Sequence, residues 1–113
     1  MQLNLLEQTE VLTVVALVGR LDSPGVDQVE VRFHAALGAR RDAIVDLSGV
    51  EFLSSLGVRM LIAAAKTLAR NGRRLVLVAP QPLVNGALRH TAIDSILPVR
   101  EELASARALC TSA

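Results

Sequence analysis

The sequence alternates between short apolar runs and longer segments whose apolar residues recur at helical spacing. Residues 11–18 and 42–47 are short runs rich in Val, Leu and Ile, which predicts strands that are buried on at least one face. Residues 24–37 and 55–71 place apolar side chains three to four positions apart, which predicts helices with one buried face. Because strands that alternate with helices pair in parallel through crossover connections, the chain is restricted to the α/β class.

Weaker patterns complete this alternation. We expect an edge strand at 3–7, a third buried strand at 74–79, a helix at 82–90, a short last strand at 97–99 and a closing helix at 101–109. Only a short turn separates the first two strands, so one antiparallel pair is expected. The prediction is a mixed, mostly parallel sheet of four to five strands packed with about four helices.

Two helix starts can be predicted from capping chemistry. Ser23 is expected to cap the first long helix, with Pro24 at its first position and Gly38 at its end. Ser54 and Ser55 precede the second long helix, and one of them is expected to accept a hydrogen bond from the helix backbone. The other serine is then free for a second role.

Length and composition exclude several classes of protein. The 113 residues, of which 51% are hydrophobic, predict one domain over 1–113 with its own core. A net charge of +1 and only two aromatic residues argue against a nucleic-acid partner. No apolar run approaches the ~20 residues of a membrane span, so no direct membrane insertion is expected. The lone Cys110 fits a reducing, cytoplasmic compartment.

Residues typical of enzymes are scattered along the chain. No glycine-rich phosphate loop and no nucleophile elbow occur in the sequence. His34 and His90 fall on separate predicted helices, and Asp42, Asp46 and Asp94 are scattered without a metal-ligand spacing, so no metal site is predicted. We therefore expect a protein without catalytic activity and without a cofactor.

The segment DLSGVEFLSSLG, residues 46–57, combines a strand end, a loop and a helix start that carries two serines. Unpaired N–H groups and the helix dipole stabilise an anion at such a position. Phosphorylation of an exposed serine there adds a charge of about −1.5 to −2 without melting the helix. The segment is thus suited to a switch that alters the surface seen by a partner.

The same segment closely resembles the central signature of STAS domains, the family of bacterial anti-sigma factor antagonists. Two further stretches are similar to family segments, namely VALVGRLDS at 15–23 and GRRLVLVAPQPLVNGALRHTAIDSILPV at 72–99. The resemblance covers nearly the whole chain and implies the STAS fold. The family often has Asp where this chain has Ser54, and a small residue where it has Leu56.

The resemblance also implies roles for individual residues. It places the phosphorylated serine at Ser55, with Ser54 as the alternative, an acidic corner residue at Asp22 and a glycine for tight helix entry at Gly57. Helical spacing additionally predicts a docking face on the second long helix, with Met60, Ala63, Ala64 and Thr67 off the buried stripe. The expected partner-binding residues are Asp22, Ser23, Ser54, Leu56, Gly57, Arg59, Met60 and Ala63.

The partners implied by the resemblance are an anti-sigma factor that is also a GHKL-type serine kinase, and a PP2C-type phosphatase. The kinase would supply ATP and Mg²⁺, and this chain would be its substrate. Unphosphorylated, the chain would bind the anti-sigma factor; phosphorylated on Ser55, it would let go. One alternative is a non-phosphorylated subunit or scaffold of a transport complex, as in bacterial lipid transporters. Another is a small-molecule sensor or enzyme. A homodimer is also open.

Overall fold

Within the described part of the chain, five strands and four helices follow one another in the order that the apolar pattern predicts. The structure is a computed structural model and describes residues 1–38, 40–90 and 97–111. The elements are β1 Gln2–Gln8, β2 Leu12–Leu21, α1 Ser23–Leu37, β3 Asp42–Leu53, α2 Ser55–Arg70, β4 Leu75–Val78, α3 Pro82–His90, β5 Val99–Arg100 and α4 Leu103–Thr111.

The strands form one sheet in the order β1-β2-β3-β4-β5. β1 pairs with β2 in antiparallel orientation, and every later neighbour pairs in parallel, as predicted. Each of the three β–α–β crossovers moves one strand in the same direction across the sheet. Since such crossovers are right-handed, α1, α2 and α3 are expected on one common face.

Two cores lie on the two faces of the sheet. The larger core joins side chains from α1, α2 and α3, including Phe33, Leu61 and Leu88. The smaller core joins Ala106 and Cys110 of α4 to side chains from the other face of β2, β3 and β4. The chain therefore changes faces after β5, so that α3 and α4 cover opposite sides of the sheet.

Strand β3 is longer than predicted. We expected a loop at Ser48 and Gly49, because Ser–Gly is a frequent turn pair. Instead the strand continues to Leu53, and its second half pairs in parallel with the end of β2, where Val18 aligns with Gly49. Two register shifts, at each of which β3 has one residue more than β2, accommodate the irregular segment. Pairing with a neighbour therefore overrides the local turn preference.

Two helices begin at other positions than predicted. The N-cap of α1 is Asp22, not Ser23, because the Asp22 Oδ1 atom accepts a hydrogen bond from the Gly25 N–H at 2.9 Å. Helix α4 begins at Leu103, so Glu101 precedes its first turn rather than lying in it.

Four side chains lie on the opposite side from the one predicted. The apolar spacing within 82–90 and 55–71 predicts that Leu83 and Ala69 face inward, yet both are exposed, Leu83 to 67%. Met60 and Ala64 were expected outside the buried stripe of α2, yet they are only 2% and 3% exposed. Helix α2 packs against α1 as well as against the sheet, so its buried arc is wider than one stripe.

Candidate functional site

Two helix N-termini lie side by side at the carboxyl ends of β2 and β3. These strands are parallel, and Leu21 aligns with Leu53 at their last paired position. The next residues, Asp22 and Ser54, are the N-caps of α1 and α2. The backbone N–H of Ser54 donates to the Leu21 carbonyl at 3.0 Å, which joins the two helix starts.

Ser54 uses its hydroxyl group entirely for structure. Its Oγ atom accepts a hydrogen bond from the Gly57 N–H at 3.2 Å and donates one to the Leu21 carbonyl at 2.8 Å. The residue is half-buried and has the extended backbone expected of an N-cap. Both the hydroxyl proton and an acceptor lone pair are therefore occupied.

Ser55 is in a different environment, although it is the next residue. It is the first residue of α2 and is exposed, and its hydroxyl makes no hydrogen bond to the described part of the chain. The first turn of α2 contains no acidic residue that would neutralise the positive end of the helix dipole. The position is accessible to a modifying enzyme and electrostatically suited to an added anion.

Gly57 permits the close approach of α2 to β2. A Cβ atom at this position would lie 2.8 Å from the Leu21 Cγ atom, the Leu21 carbonyl oxygen and the Leu53 Cδ1 atom. Gly57 is also buried, so it can support the packing beneath a partner-binding surface but cannot itself contact a partner. The sequence prediction of a glycine needed for tight helix entry agrees with this geometry.

Asp22 is a structural carboxylate at the edge of the site. Besides accepting the Gly25 hydrogen bond, it pairs with Arg20, whose Nε atom lies 3.4 Å from Oδ2. The Gly25 N–H and then the Arg20 guanidinium lower the pKa of the Asp22 carboxyl. Asp22 is therefore ionised at neutral pH and fixed at the start of α1.

Three residues of this region were not predicted from the sequence. A Cβ atom on Gly25 would lie 2.0 Å from the Arg20 carbonyl oxygen, so the α1 cap requires glycine there. The Arg20 guanidinium lies over the Phe52 ring, 4.6 Å from its centre. The Asp-x-x-Gly spacing could have indicated the cap, whereas the Arg20–Phe52 pair depends on the strand register.

An exposed face of α2 extends from the candidate serine. Ser55, Leu56, Arg59 and Ala63 are exposed and follow one another at helical spacing; we call them the α2 outer face. Leu56 is 43% exposed, which places an apolar side chain beside the serine hydroxyl. Ser23 is exposed at the neighbouring start of α1. Met60, predicted to belong to this surface, is buried in the larger core and cannot contribute to it.

The scattered polar residues of the sequence are largely used for structure. Asp42 accepts the Arg74 N–H at 2.9 Å, and Asp46 accepts the Ser48 N–H at 2.9 Å. Burial raises the pKa of the Cys110 thiol to about 11, and the Asp42 carboxylate adds to the effect, so the thiol is not poised as a nucleophile.

Neither a metal-binding cluster nor a membrane-spanning helix occurs among the described residues. No group of three or more His, Cys, Asp and Glu side chains that could hold a metal ion occurs in 1–38, 40–90 and 97–111. None of the helices among the described residues is long and apolar enough to cross a membrane. Asp94 lies outside the described residues.

Comparisons with known proteins agree with this architecture. A protein from Bordetella bronchiseptica, BtrV, described as a candidate anti-sigma factor antagonist, is 28% identical over 105 residues, which cover 91% of this chain and 90% of BtrV. The solved structure of the anti-sigma factor antagonist SpoIIAA in its unphosphorylated form superimposes with a TM-score of 0.80 at 21% identity, covering 99% of this chain and 98% of SpoIIAA.

A STAS domain protein from Planctomyces limnophilus, described as an anti-sigma-factor antagonist, superimposes with a TM-score of 0.83 at 24% identity, covering 97% of this chain and 98% of that chain. These structural likenesses establish the fold. A sequence model of the family described as "Mlab, STAS domain" matches residues 4–98, from the first strand to the residue before the last strand. This match spans most of the chain, and the chain belongs to the STAS domain family.

Proposed function

We propose that this chain is an anti-sigma factor antagonist, a regulator that exchanges partners according to the phosphorylation of Ser55. The observation that carries the proposal is the contrast at the start of α2, where the Ser55 hydroxyl is exposed and the Ser54 hydroxyl is fully used. In the unmodified state, the α2 outer face and the start of α1 bind an anti-sigma factor. Phosphorylation of Ser55 releases it.

The hydrogen bonds favour Ser55 over Ser54 as the modified residue. A kinase must withdraw the serine hydroxyl from its surroundings and align it with a phosphoryl group. For Ser54 this would break two hydrogen bonds and uncap α2, whereas Ser55 is exposed and its hydroxyl makes no such contacts with the described residues. The same chemistry on the two residues therefore has very different structural costs.

The charge of a phosphate explains how release could follow without a change of fold. A phosphoserine at the first position of α2 would be stabilised by the helix dipole. Arg59 lies one turn further along the same face and could pair with the phosphate, which would withdraw its charge from a partner. Leu56 would then lie beside a doubly charged group instead of a neutral hydroxyl, which opposes the burial of this apolar surface.

The partner carries the catalytic machinery in this scheme. A GHKL-type serine kinase that is also the anti-sigma factor would supply ATP and Mg²⁺, and a PP2C-type phosphatase would reverse the reaction. This chain would act as substrate and binding protein, without a cofactor, in the cytoplasm. The scheme is supported by BtrV, the similar antagonist from Bordetella, and by SpoIIAA, whose phosphorylated form superimposes with a TM-score of 0.71 at 21% identity.

A second function is favoured by the description of the matching family model, which carries the name Mlab. In this alternative the chain is a constitutive subunit or scaffold of a transport complex, as in bacterial lipid transporters. The same α2 outer face would be used, and Leu56 would serve as a permanent contact. Ser55 would then remain unmodified.

Partner capture from lysate of the native cell separates the two functions. We compare the full chain with Ser55→Ala and Ser55→Asp variants, and use Ser48→Asp as the control because Ser48 is exposed and lies outside the α2 outer face. The switch predicts that the alanine variant retains a kinase-like partner that the aspartate variant loses. Retention of one set of transport proteins by all four chains would contradict the switch and support the subunit.

A further inference from the structure

A cavity of about 470 Å³ lies at the carboxyl ends of β4 and β5. None of its lining residues belongs to the α2 outer face or to the helix starts around Ser54. Its walls are formed by the segment after β4, by α3 and by the segment around β5. The lining residues are Ala79, Pro80, Asn85, Arg89, Pro98, Val99, Arg100 and Glu101.

The position of the cavity follows from the topology of the sheet. After β4 the chain turns to the face that carries α3, whereas after the neighbouring strand β5 it turns to the opposite face that carries α4. Where adjacent parallel strands send their connections to opposite faces, a crevice opens outside their carboxyl ends. In α/β folds this is the usual place for a small ligand.

The charged residues that line the cavity favour a negatively charged ligand. Arg89 of α3 and Arg100 at the end of β5 give its lining two positively charged residues, against the single acidic residue Glu101. Neither arginine forms an ion pair with another residue of the described chain. Arg100 donates one hydrogen bond, from its Nη1 atom to the Val99 carbonyl at 2.9 Å, which leaves further donors for a ligand.

The rim of the cavity is held in an unusual backbone conformation. Ala79 has a φ of 56°, a left-handed value that is uncommon for a residue with a side chain. Its N–H donates to the Arg100 carbonyl at 2.8 Å, which ties the two sides of the crevice together. Pro80 and Pro98 stiffen the adjacent segments. Such strain is concentrated at functional sites, where it keeps a binding geometry formed in advance.

We propose that this crevice binds a small organic phosphate. The phosphate group would lie between Arg89 and Arg100, where charge-assisted hydrogen bonds from both sides can reach it, with the Asn85 amide as a neutral donor. The uncharged part of the ligand would lie against Pro80, Pro98 and Val99. The volume falls within the range of roughly 300–1,000 Å³ that is typical of small-molecule sites. This ligand site is independent of the Ser55 switch.

The test uses the full chain and three probes: adenosine monophosphate, adenosine as its uncharged counterpart, and inorganic phosphate. Amide resonances are followed by NMR during titration, and affinities are measured by calorimetry. We expect adenosine monophosphate and inorganic phosphate to shift the amides of Ala79, Arg89 and Arg100, and adenosine to leave them unchanged. Arg89→Gln and Arg100→Gln should each weaken binding of adenosine monophosphate about tenfold to a hundredfold, the usual value of a charged hydrogen bond.

The matched control is Arg32→Gln, which removes an exposed arginine from α1, away from the cavity, and should leave the affinity unchanged. Three outcomes would overturn the proposal: no shift with either anion, equal binding of adenosine and adenosine monophosphate, or an equal loss in the Arg32→Gln variant. Ser55→Ala should bind the probes as the unmodified chain does, so the failure of one proposal leaves the other standing. Folding of each variant is checked by circular dichroism.

Discussion

Adjacent serines at the start of α2 show how far hydrogen bonding, rather than residue type, decides what a side chain can do. Ser54 and Ser55 have the same hydroxyl group and differ by one position. The first is bound to the backbone on two sides, and the second is exposed. The structural cap and the candidate switch are thereby separated onto two residues, so that modification of Ser55 can leave the cap of α2 intact.

Replacing each serine with alanine should reveal this separation. We expect Ser54→Ala to lower the free energy of unfolding by about 1 to 2 kcal/mol, because the helix loses its N-cap and a hydrogen bond to Leu21. Ser55→Ala should change it by less than about 0.5 kcal/mol, as is usual at an exposed position. Urea denaturation of both variants measures the difference. Equal destabilisation would show that Ser55 shares the structural role.

Replacement of glycine by alanine should change the free energy of unfolding in opposite directions at Gly57 of α2 and at Gly86 of α3. Gly57→Ala places a Cβ atom 2.8 Å from Leu21 and Leu53, so we expect a loss of about 1 to 3 kcal/mol in the free energy of unfolding. Gly86 lies within α3 with open space around its Cβ position, and its replacement should add up to about 1 kcal/mol. Thermal denaturation distinguishes these outcomes, and a stabilising Gly57→Ala change would refute the close contact.

At the scale of elements, an ion pair joins the first strand to the last helix. Arg107 of α4 donates hydrogen bonds to both carboxylate oxygens of Glu7 on β1, one of them at 3.0 Å. This pair holds α4 against the edge of the sheet, beside the smaller core. The Arg107 guanidinium lowers the pKa of the Glu7 carboxyl, chiefly by hydrogen bonding.

The lowered pKa of Glu7 predicts a dependence of stability on pH. Because the folded pKa lies below the unfolded value of about 4.3, the contribution is fully present above that value and is lost as the pH falls through the folded pKa. Glu7→Gln should therefore lose less stability than the unmodified chain between about pH 5 and pH 3. Urea midpoints across this range measure the effect. Glu30→Gln, at an exposed site on α1, is the control, and the two variants should differ.

At the scale of the whole molecule, the fold could be predicted because the apolar pattern and the topology rules agree. Alternating strands and helices predicted the parallel sheet and its one antiparallel pair. The exact extent of β3 could not be predicted, because the pairing of its second half depends on the register with β2. The burial of Met60 was missed because it depends on how α1 packs against α2.

The candidate sites were predictable to different degrees. The residue pattern alone could place the two serines at a helix start, and only the resemblance to STAS domains favoured Ser55 over Ser54. The Leu21 and Gly57 contacts that distinguish the two hydroxyl groups depend on the fold and could not be predicted. The cavity could not be predicted at all. Arg89 and Arg100 belong to separate elements, and they line one crevice only because α3 and α4 cover opposite faces of the sheet.

The central claim, that this STAS domain is switched at Ser55, is tested most directly by the intact mass of the chain isolated from its native cell, followed by sequencing of the modified peptide. The account predicts a fraction carrying one phosphate on Ser55, which is absent from Ser55→Ala and still present in Ser54→Ala. A chain that stays unmodified through growth and stress, or a phosphate on Ser54, would contradict it. In the first case, a constitutive subunit of a larger complex becomes the better account.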